Sequence, residues 1–159
     1  MYQDEAKIMM YRFKYGNRRT YATFFADEAE KQCGDWIKRI GVEAVVPVPM
    51  YRKKERQRGY NQAAIFAREL ADAFGLACEP GAVKRIIDTK PQKELGDAER
   101  ENNLKNAFQA EEFIVKYKYI LLVDDIYTTG STAEAVARQL LAVGVEKVFF
   151  LSVCIGNGY

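Results

Sequence analysis

Two adjacent carboxylates, Asp124 and Asp125, stand just ahead of a run of small residues, Thr128-Thr129-Gly130-Ser131-Thr132. A turn of small residues lets backbone N–H groups converge on one point, and a helix starting there adds partial positive charge. Hydroxyls from Thr128, Thr129, Ser131 and Thr132 add donors, so the turn suits a phosphate monoester. The lysine of a Walker-type loop is absent, which argues against a nucleoside triphosphate. Carboxylates one turn upstream would repel a phosphate, but they suit sugar hydroxyls or a hydrated Mg²⁺. A ligand with a phosphate at one end and a diol in its middle is a ribose 5-phosphate. A glycine turn before a helix says little by itself; the acid pair gives this one its chemical reading.

Positioning such a site takes a strand on one side and a helix on the other. The apolar run Tyr119–Val123 predicts a strand buried on both faces, with the acids where it ends. Ala133, Val136, Ala137, Leu140 and Leu141 then recur at helical spacing. Ala44–Pro49 predicts a first core strand with Pro49 at its end, because proline sits badly in a central ladder. The basic run Arg52, Lys53, Lys54, Arg56 and Arg58 follows, expected as a loop on the ligand-binding edge of an open sheet. Its charge suits pyrophosphate or, alternatively, a nucleic-acid backbone. Next comes a helix to Phe74, with Ala63, Phe66, Ala67 and Leu70 inward and Gly75 closing it.

Two helices are expected ahead of this core. Asp4–Tyr15 places Ala6, Met9, Met10 and Phe13 on one face, and Thr20 to about Ile40 buries Phe25, Ala26, Ala29 and Trp36. Ala82–Ile87 and Phe108–Val115 read as strands on either side of Asp88–Asn106, a polar, aperiodic stretch of the length that in compact domains is often functional. Lys147–Ile155 is the final apolar strand. The whole predicts one α/β domain over residues 1–159, with a helical part (1–41), a core (42–155) and a flexible loop (88–106).

Composition narrows the chemistry. Of 159 residues, 48% are hydrophobic and 29% charged, an ordinary globular balance. No apolar run reaches the ~20 residues of a membrane span, so no membrane role is expected. Three widely spaced cysteines, Cys33, Cys78 and Cys154, form no CxxC pair, which fits buried structural thiols in a reducing cytoplasm. The chain has no histidine, which excludes Ser-His and Cys-His nucleophiles and imidazole metal ligands. Chemistry at the anomeric carbon of a ribose 5-phosphate survives that exclusion, because an oxocarbenium-like state and a departing anion are stabilised by cations and hydrogen-bond donors. The net charge of +2 is too small to argue for nucleic acid.

Ile120–Thr132, with four apolar residues, two acids and a Thr-Thr-Gly-Ser-Thr loop, resembles the phosphoribosyl pyrophosphate (PRPP) signature of type I phosphoribosyltransferases. Val46-Pro47-Val48-Pro49, Arg56 and Arg58-Gly59-Tyr60-Asn61-Gln62-Ala63 resemble the ComF (GntX-like) competence branch of that superfamily. The likeness continues through Thr89, Gln92, Leu95, Arg100, Asn103, Ala107 and Phe108. The resemblance implies the type I fold, a mostly parallel sheet flanked by helices with a mobile hood over residues 88–106. It implies that Asp124 and Asp125 meet the ribose hydroxyls, and that they serve Mg²⁺ through ligand or water. Tyr127, Thr128, Thr129, Gly130, Ser131 and Thr132 would hold the 5′-phosphate side. Arg52, Arg56, Arg58, Gly59, Asn61, Gln62 and Lys90 would face pyrophosphate. Arg100 would join Asp124 and Asp125 in catalysis, with Gln92 and Asn103 positioning ligand or hood.

The implied activity is Mg²⁺-dependent phosphoribosyl transfer from PRPP to an acceptor such as a nucleobase. The alternative is a PRPP-binding or scaffold module in a DNA-uptake complex. Such a module could contact single-stranded DNA through Arg52–Arg58, with Tyr51 and Tyr60 as stacking partners. Relatives are frequently homodimers. Many also begin with a four-cysteine zinc module, which has no counterpart in this sequence.

Overall fold

A computed structural model describes residues 8–13, 20–87, 104 and 106–156. In chain order its elements are α1 (residues 8–13), α2 (Thr20–Ile40), β1 (Ala44–Pro47), α3 (Arg52–Arg58), α4 (Gln62–Phe74), β2 (Ala77–Cys78) and β3 (Val83–Arg85). Then follow β4 (Phe108–Ala110), a 3₁₀ turn (Glu112–Lys116), β5 (Tyr119–Tyr127), α5 (Ser131–Val143) and β6 (Lys147–Ile155).

The main sheet is parallel throughout, in the order β2-β1-β5-β6. Successive residues of β5 point to opposite faces, and both faces are covered. Leu121 and Val123 pack with Val45, Phe66, Leu70 and Ile37 beneath α2 and α4. Ile120 and Leu122 pack with Val46, Val136, Leu140 and Ile114 beneath α5 and the β3–β4 ribbon. That double burial is why Ile120–Val123 is an unbroken apolar run, each residue with no exposed surface.

α2, α4 and α5 stand where the apolar spacing put them, although Leu141 on α5 is exposed. Of the helix expected over Asp4–Tyr15, residues 8–13 are described, and Ala6 lies outside them. Ala63, Phe66, Ala67 and Leu70 are buried on α4, and Gly75 ends the helix in the left-handed region (φ 64°). On α2 the deepest residues are Ala22, Ala26, Gly34 and Ile37, with Phe25, Ala29 and Trp36 packed more shallowly than expected. In α1, Met10 and Phe13 turn inward against Ala22.

Several expectations about the elements need correction. First, β1 ends at Pro47, two residues short of Pro49. The basic run is not a loop but a helix, α3, none of whose residues is buried. Its charged, unbranched side chains favour helix, and Gly59 (φ 84°) closes it by donating to the Glu55 carbonyl at 2.7 Å. The strand expected at Ala82–Ile87 is only Val83–Arg85 and lies outside the main sheet, antiparallel to Phe108–Ala110. Phe108–Val115 is strand only to Ala110, and a 3₁₀ turn follows that buries Ile114 alone. The three cysteines are half-buried rather than buried. The short β2, paired with β1 at Ala44–Ala77 and Val45–Cys78, was not expected from the sequence.

Candidate phosphosugar site at the end of β5

β1 and β5 are neighbours whose following helices lie on opposite faces of the sheet, α4 on one and α5 on the other. Such a topological switch opens a crevice beyond the carboxyl ends of the two strands. The last pair in the β1–β5 ladder is Pro47 with Val123. The residue after Pro47, Val48, donates to the Val123 carbonyl (2.8 Å), and there the two chains part. Asp124 and Asp125 are the first residues of β5 with no β1 partner.

The acids do not end the strand, as their sequence position suggested. β5 runs on to Tyr127 against β6, pairing Asp124 with Ser152, Ile126 with Cys154 and Tyr127 with Ile155. One flank of the acid pair is thus held by a ladder while the other faces the crevice. Both carboxylates are half-buried, and Asp124 Oδ1 accepts from the Asp125 N–H at 2.8 Å. The Cys154 thiol donates to the Asp125 carbonyl across the β5–β6 pair (3.6 Å).

The turn after β5 opens α5. Gly130 takes φ 81°, a region that costs other residues, and occupies the helix N-cap. The first amide to bond within the helix is that of Glu134, donating to the Gly130 carbonyl at 2.8 Å. The N–H groups of Ser131, Thr132 and Ala133 precede it, at the positive end of a 13-residue helix. Thr129 Oγ1 and Ser131 Oγ lie 2.9 Å apart, which fixes their hydroxyls at the same point. Asp124, Tyr127, Thr128, Gly130 and Thr132 line a single small pocket of about 40 Å³, backed by Phe150. The Tyr127 ring lies against Phe150 (centroids 5.8 Å apart) and so close to Gly130 that a β-carbon there would sit 2.8 Å from the Tyr127 hydroxyl oxygen.

The basic residues gather elsewhere on the same edge. Arg52, Glu55, Arg56 and Gly59 border an open hollow of about 390 Å³. Arg58 Nη1 donates to Gln62 Oε1 at 3.4 Å, and Gln62 is fully buried. Asn61 is also buried, and it caps α4 by accepting from the Ala63 N–H. Tyr60 is buried as well, its hydroxyl donating to the Phe13 carbonyl. That burial removes Tyr60 as a stacking partner for a nucleic-acid base, while Tyr51 stays partly exposed. Lys90, Gln92, Arg100 and Asn103 lie outside the described residues.

No cluster of three or more metal-ligating side chains exists among the described residues. Two adjacent half-buried carboxylates fit Mg²⁺ only as partners to ligand oxygens and water, which is how Mg²⁺ is held where a phosphorylated substrate completes its shell. No helix among the described residues is long and apolar enough to cross a membrane.

Residues 60–158 match the model of the phosphoribosyl transferase domain. Competence protein F of Haemophilus influenzae is 38% identical over 110 residues, 67% of this chain and 47% of that protein. The DNA utilization protein YhgH of Escherichia coli K12 is 33% identical over 112 residues, 70% of this chain and 49% of that protein. Competence protein ComFC of Bacillus subtilis is 28% identical over 145 residues, 90% of this chain and 56% of that protein. The chain therefore spans about half the length of the curated relatives it matches.

Proposed function

This chain belongs to the phosphoribosyl transferase domain family, in its ComF-like branch, and from that premise we propose that it binds PRPP with Mg²⁺ and transfers the phosphoribosyl group to an acceptor nitrogen. One observation carries the reading. The acid pair leaves the β1 ladder beside the turn that opens α5, so groups suited to a sugar diol and to a phosphate share one edge.

In this reading the ribose hydroxyls donate to Asp124 and Asp125. The Thr128–Thr132 turn holds the 5′-phosphate with its hydroxyls and with the first amides of α5. Arg52, Arg56 and Arg58, joined by Lys90, face pyrophosphate and balance its growing charge as it leaves, while Gly59, Asn61 and Gln62 shape that end of the site. Bound Mg²⁺ supplies further charge neutralisation on the pyrophosphate oxygens. The acceptor nitrogen forms a bond to C1 of the ribose as the bond from C1 to pyrophosphate oxygen breaks, and the bonding pair departs with pyrophosphate. Arg100 would join Asp124 and Asp125 in catalysis. Nucleobases are the acceptor class to test first.

Calorimetric titration of PRPP with Mg²⁺ tests the reading. The parent chain is expected to bind, and a folded Asp124→Asn/Asp125→Asn variant to lose binding. A well-folded parent that binds no PRPP would sink it. Pyrophosphate release with a panel of nucleobases then separates an enzyme from a PRPP-binding module of a DNA-uptake assembly.

The names of the relatives, and the exposed cations of α3, favour a second reading as an accessory property: contact with single-stranded DNA. It predicts affinity that falls steeply with salt and is lost when Arg52, Arg56 and Arg58 are neutralised.

A further inference from the structure

Beyond the last β5–β6 pair, Tyr127 with Ile155, the chain makes one more contact with the site. The N–H of Gly156 donates to the Tyr127 carbonyl at 2.7 Å. Tyr127 is the last residue of β5, so this bond holds the peptide from which the Thr128–Thr132 turn departs. The approach is close on the side-chain side too. A β-carbon on Gly156 would sit 3.0 Å from Ile126 Cγ2 and 3.3 Å from Thr128 Cγ2. Gly156 is not one of the glycines with positive φ, so the demand here is for space and not for backbone conformation.

We propose that Gly156 is a positioning residue for the 5′-phosphate turn, setting where Thr128 stands by a backbone bond to Tyr127 and by having no side chain. The inference rests on the PRPP reading for its ligand and on the geometry alone for its mechanism. A larger residue at 156 pushes on Ile126 and Thr128 together. Ile126 is anchored through Cys154 in the ladder and through packing against the cluster of Met10, Phe13 and Ala22, whereas Thr128 is exposed at the start of a turn. The turn therefore gives way first. Its hydroxyls and amides move away from the point on which they converge, while the acid pair, three and four residues upstream, stays in register with Ser152 and its neighbours.

The experiment compares the parent chain with Gly156→Ala and Gly156→Val. Each is titrated with ribose 5-phosphate, which carries both diol and 5′-phosphate, and with Mg²⁺-pyrophosphate, which carries neither. Thermal melting and hydrogen exchange at residues 127–132 accompany the titrations. Gly156→Val is expected to bind ribose 5-phosphate about tenfold more weakly, in line with the cost of small misplacements of a binding group. Gly156→Ala should fall between it and the parent. Mg²⁺-pyrophosphate affinity should hold, and faster exchange should be confined to residues 127–132.

Unchanged sugar-phosphate affinity with unchanged exchange in Gly156→Val overturns the proposal. So does an equal weakening of both ligands together with a lowered melting temperature, which would mark general destabilisation. If the parent binds neither ligand, the PRPP reading fails. The exchange data then decide the positioning role by themselves, sustained by faster exchange limited to residues 127–132 and overturned by none.

Discussion

Asn61 ties α4 to the end of β1: its Nδ2 donates to the Val48 carbonyl at 3.1 Å, while its Oδ1 accepts from the Ala63 N–H at 3.1 Å. Val48 in turn donates to Val123, the residue before Asp124. One buried amide thus spans the α3 excursion and fixes both of its ends relative to the acid pair. Replacing Asn61 by Ala removes the cap, at about 0.5–2 kcal/mol, and leaves the Val48 carbonyl without that donor, at about 1–3 kcal/mol. Asn61→Ser keeps a capping oxygen but cannot reach Val48, so its loss should be smaller. Urea denaturation of the three proteins checks the order.

Gly130→Ala should be costly twice over. The left-handed φ of 81° charges any β-carbon about 1–2 kcal/mol, and the new methyl must displace the Tyr127 ring from its place on Phe150. Adding Tyr127→Ala should recover the second cost and leave the first. Thermal unfolding of the single and double variants separates them.

Phe66 has 1% of its surface exposed and lies in the core beneath α2 and α4, beside Leu121 and Val123. Phe66→Ala should lose about 3–5 kcal/mol of stability, read by chemical denaturation. Because the cavity opens under the residue that precedes Asp124, any PRPP affinity should weaken as well.

The hollow beside α3 makes an electrostatic prediction. Arg52→Ala/Arg56→Ala should weaken pyrophosphate binding about tenfold at low ionic strength, and less at high salt because exposed charges are screened. Isothermal titration at two salt concentrations measures both effects.

Burial raises the thiol pKa of Cys33 and, against the pull of Arg68, that of Cys78. Both therefore stay protonated through neutral pH, and alkylation by iodoacetamide should lag behind that of a free thiol, gaining speed only as pH rises past the usual thiol range. The sign for stability follows. The folded state holds these protons more tightly, so the contribution is complete below the unfolded thiol pKa and fades as pH climbs through the folded one. Mass spectrometry of timed alkylation across pH tests the lag.

The parts of this fold with a regular or unbroken apolar pattern were legible from sequence: α4 with its closing Gly75, the buried core of β5, and β6, whose inner residues are half-buried. So was the turn beside the acids, because small residues between a strand and a helix have few other uses. What escaped depended on pairing with distant chain. Asp124 and Asp125 lie within β5 because β6 is long enough to pair with them, and no local pattern around the acids reveals its length. Val83, Ile86 and Ile87 give Ala82–Ile87 the β-branched character of a sheet strand, yet only Val83–Arg85 pairs, and its partner is Phe108–Ala110. The 3₁₀ turn at Glu112–Lys116 hides in an apolar triplet, Phe113-Ile114-Val115, of which only the middle residue is interior. At Tyr60 and Asn61 the residue types suggested ligand contact, and their bonds to Phe13, Val48 and Ala63 are with the protein itself.

Alternate residues of β5 serve two interiors, and that has a consequence for how this chain tolerates changes of length. Deleting Tyr119, with the chain before it held in place, would send Leu121 and Val123 toward the α5 side and Ile120 and Leu122 toward α4, and would invert the facing of each carboxylate beyond them. Substitutions among Val, Ile and Leu leave that bookkeeping intact. Gaps do not. Homologous chains that keep the chemistry should therefore vary freely in side-chain volume along this strand while holding fixed the number of residues from the ladder with β1 to the glycine of the turn.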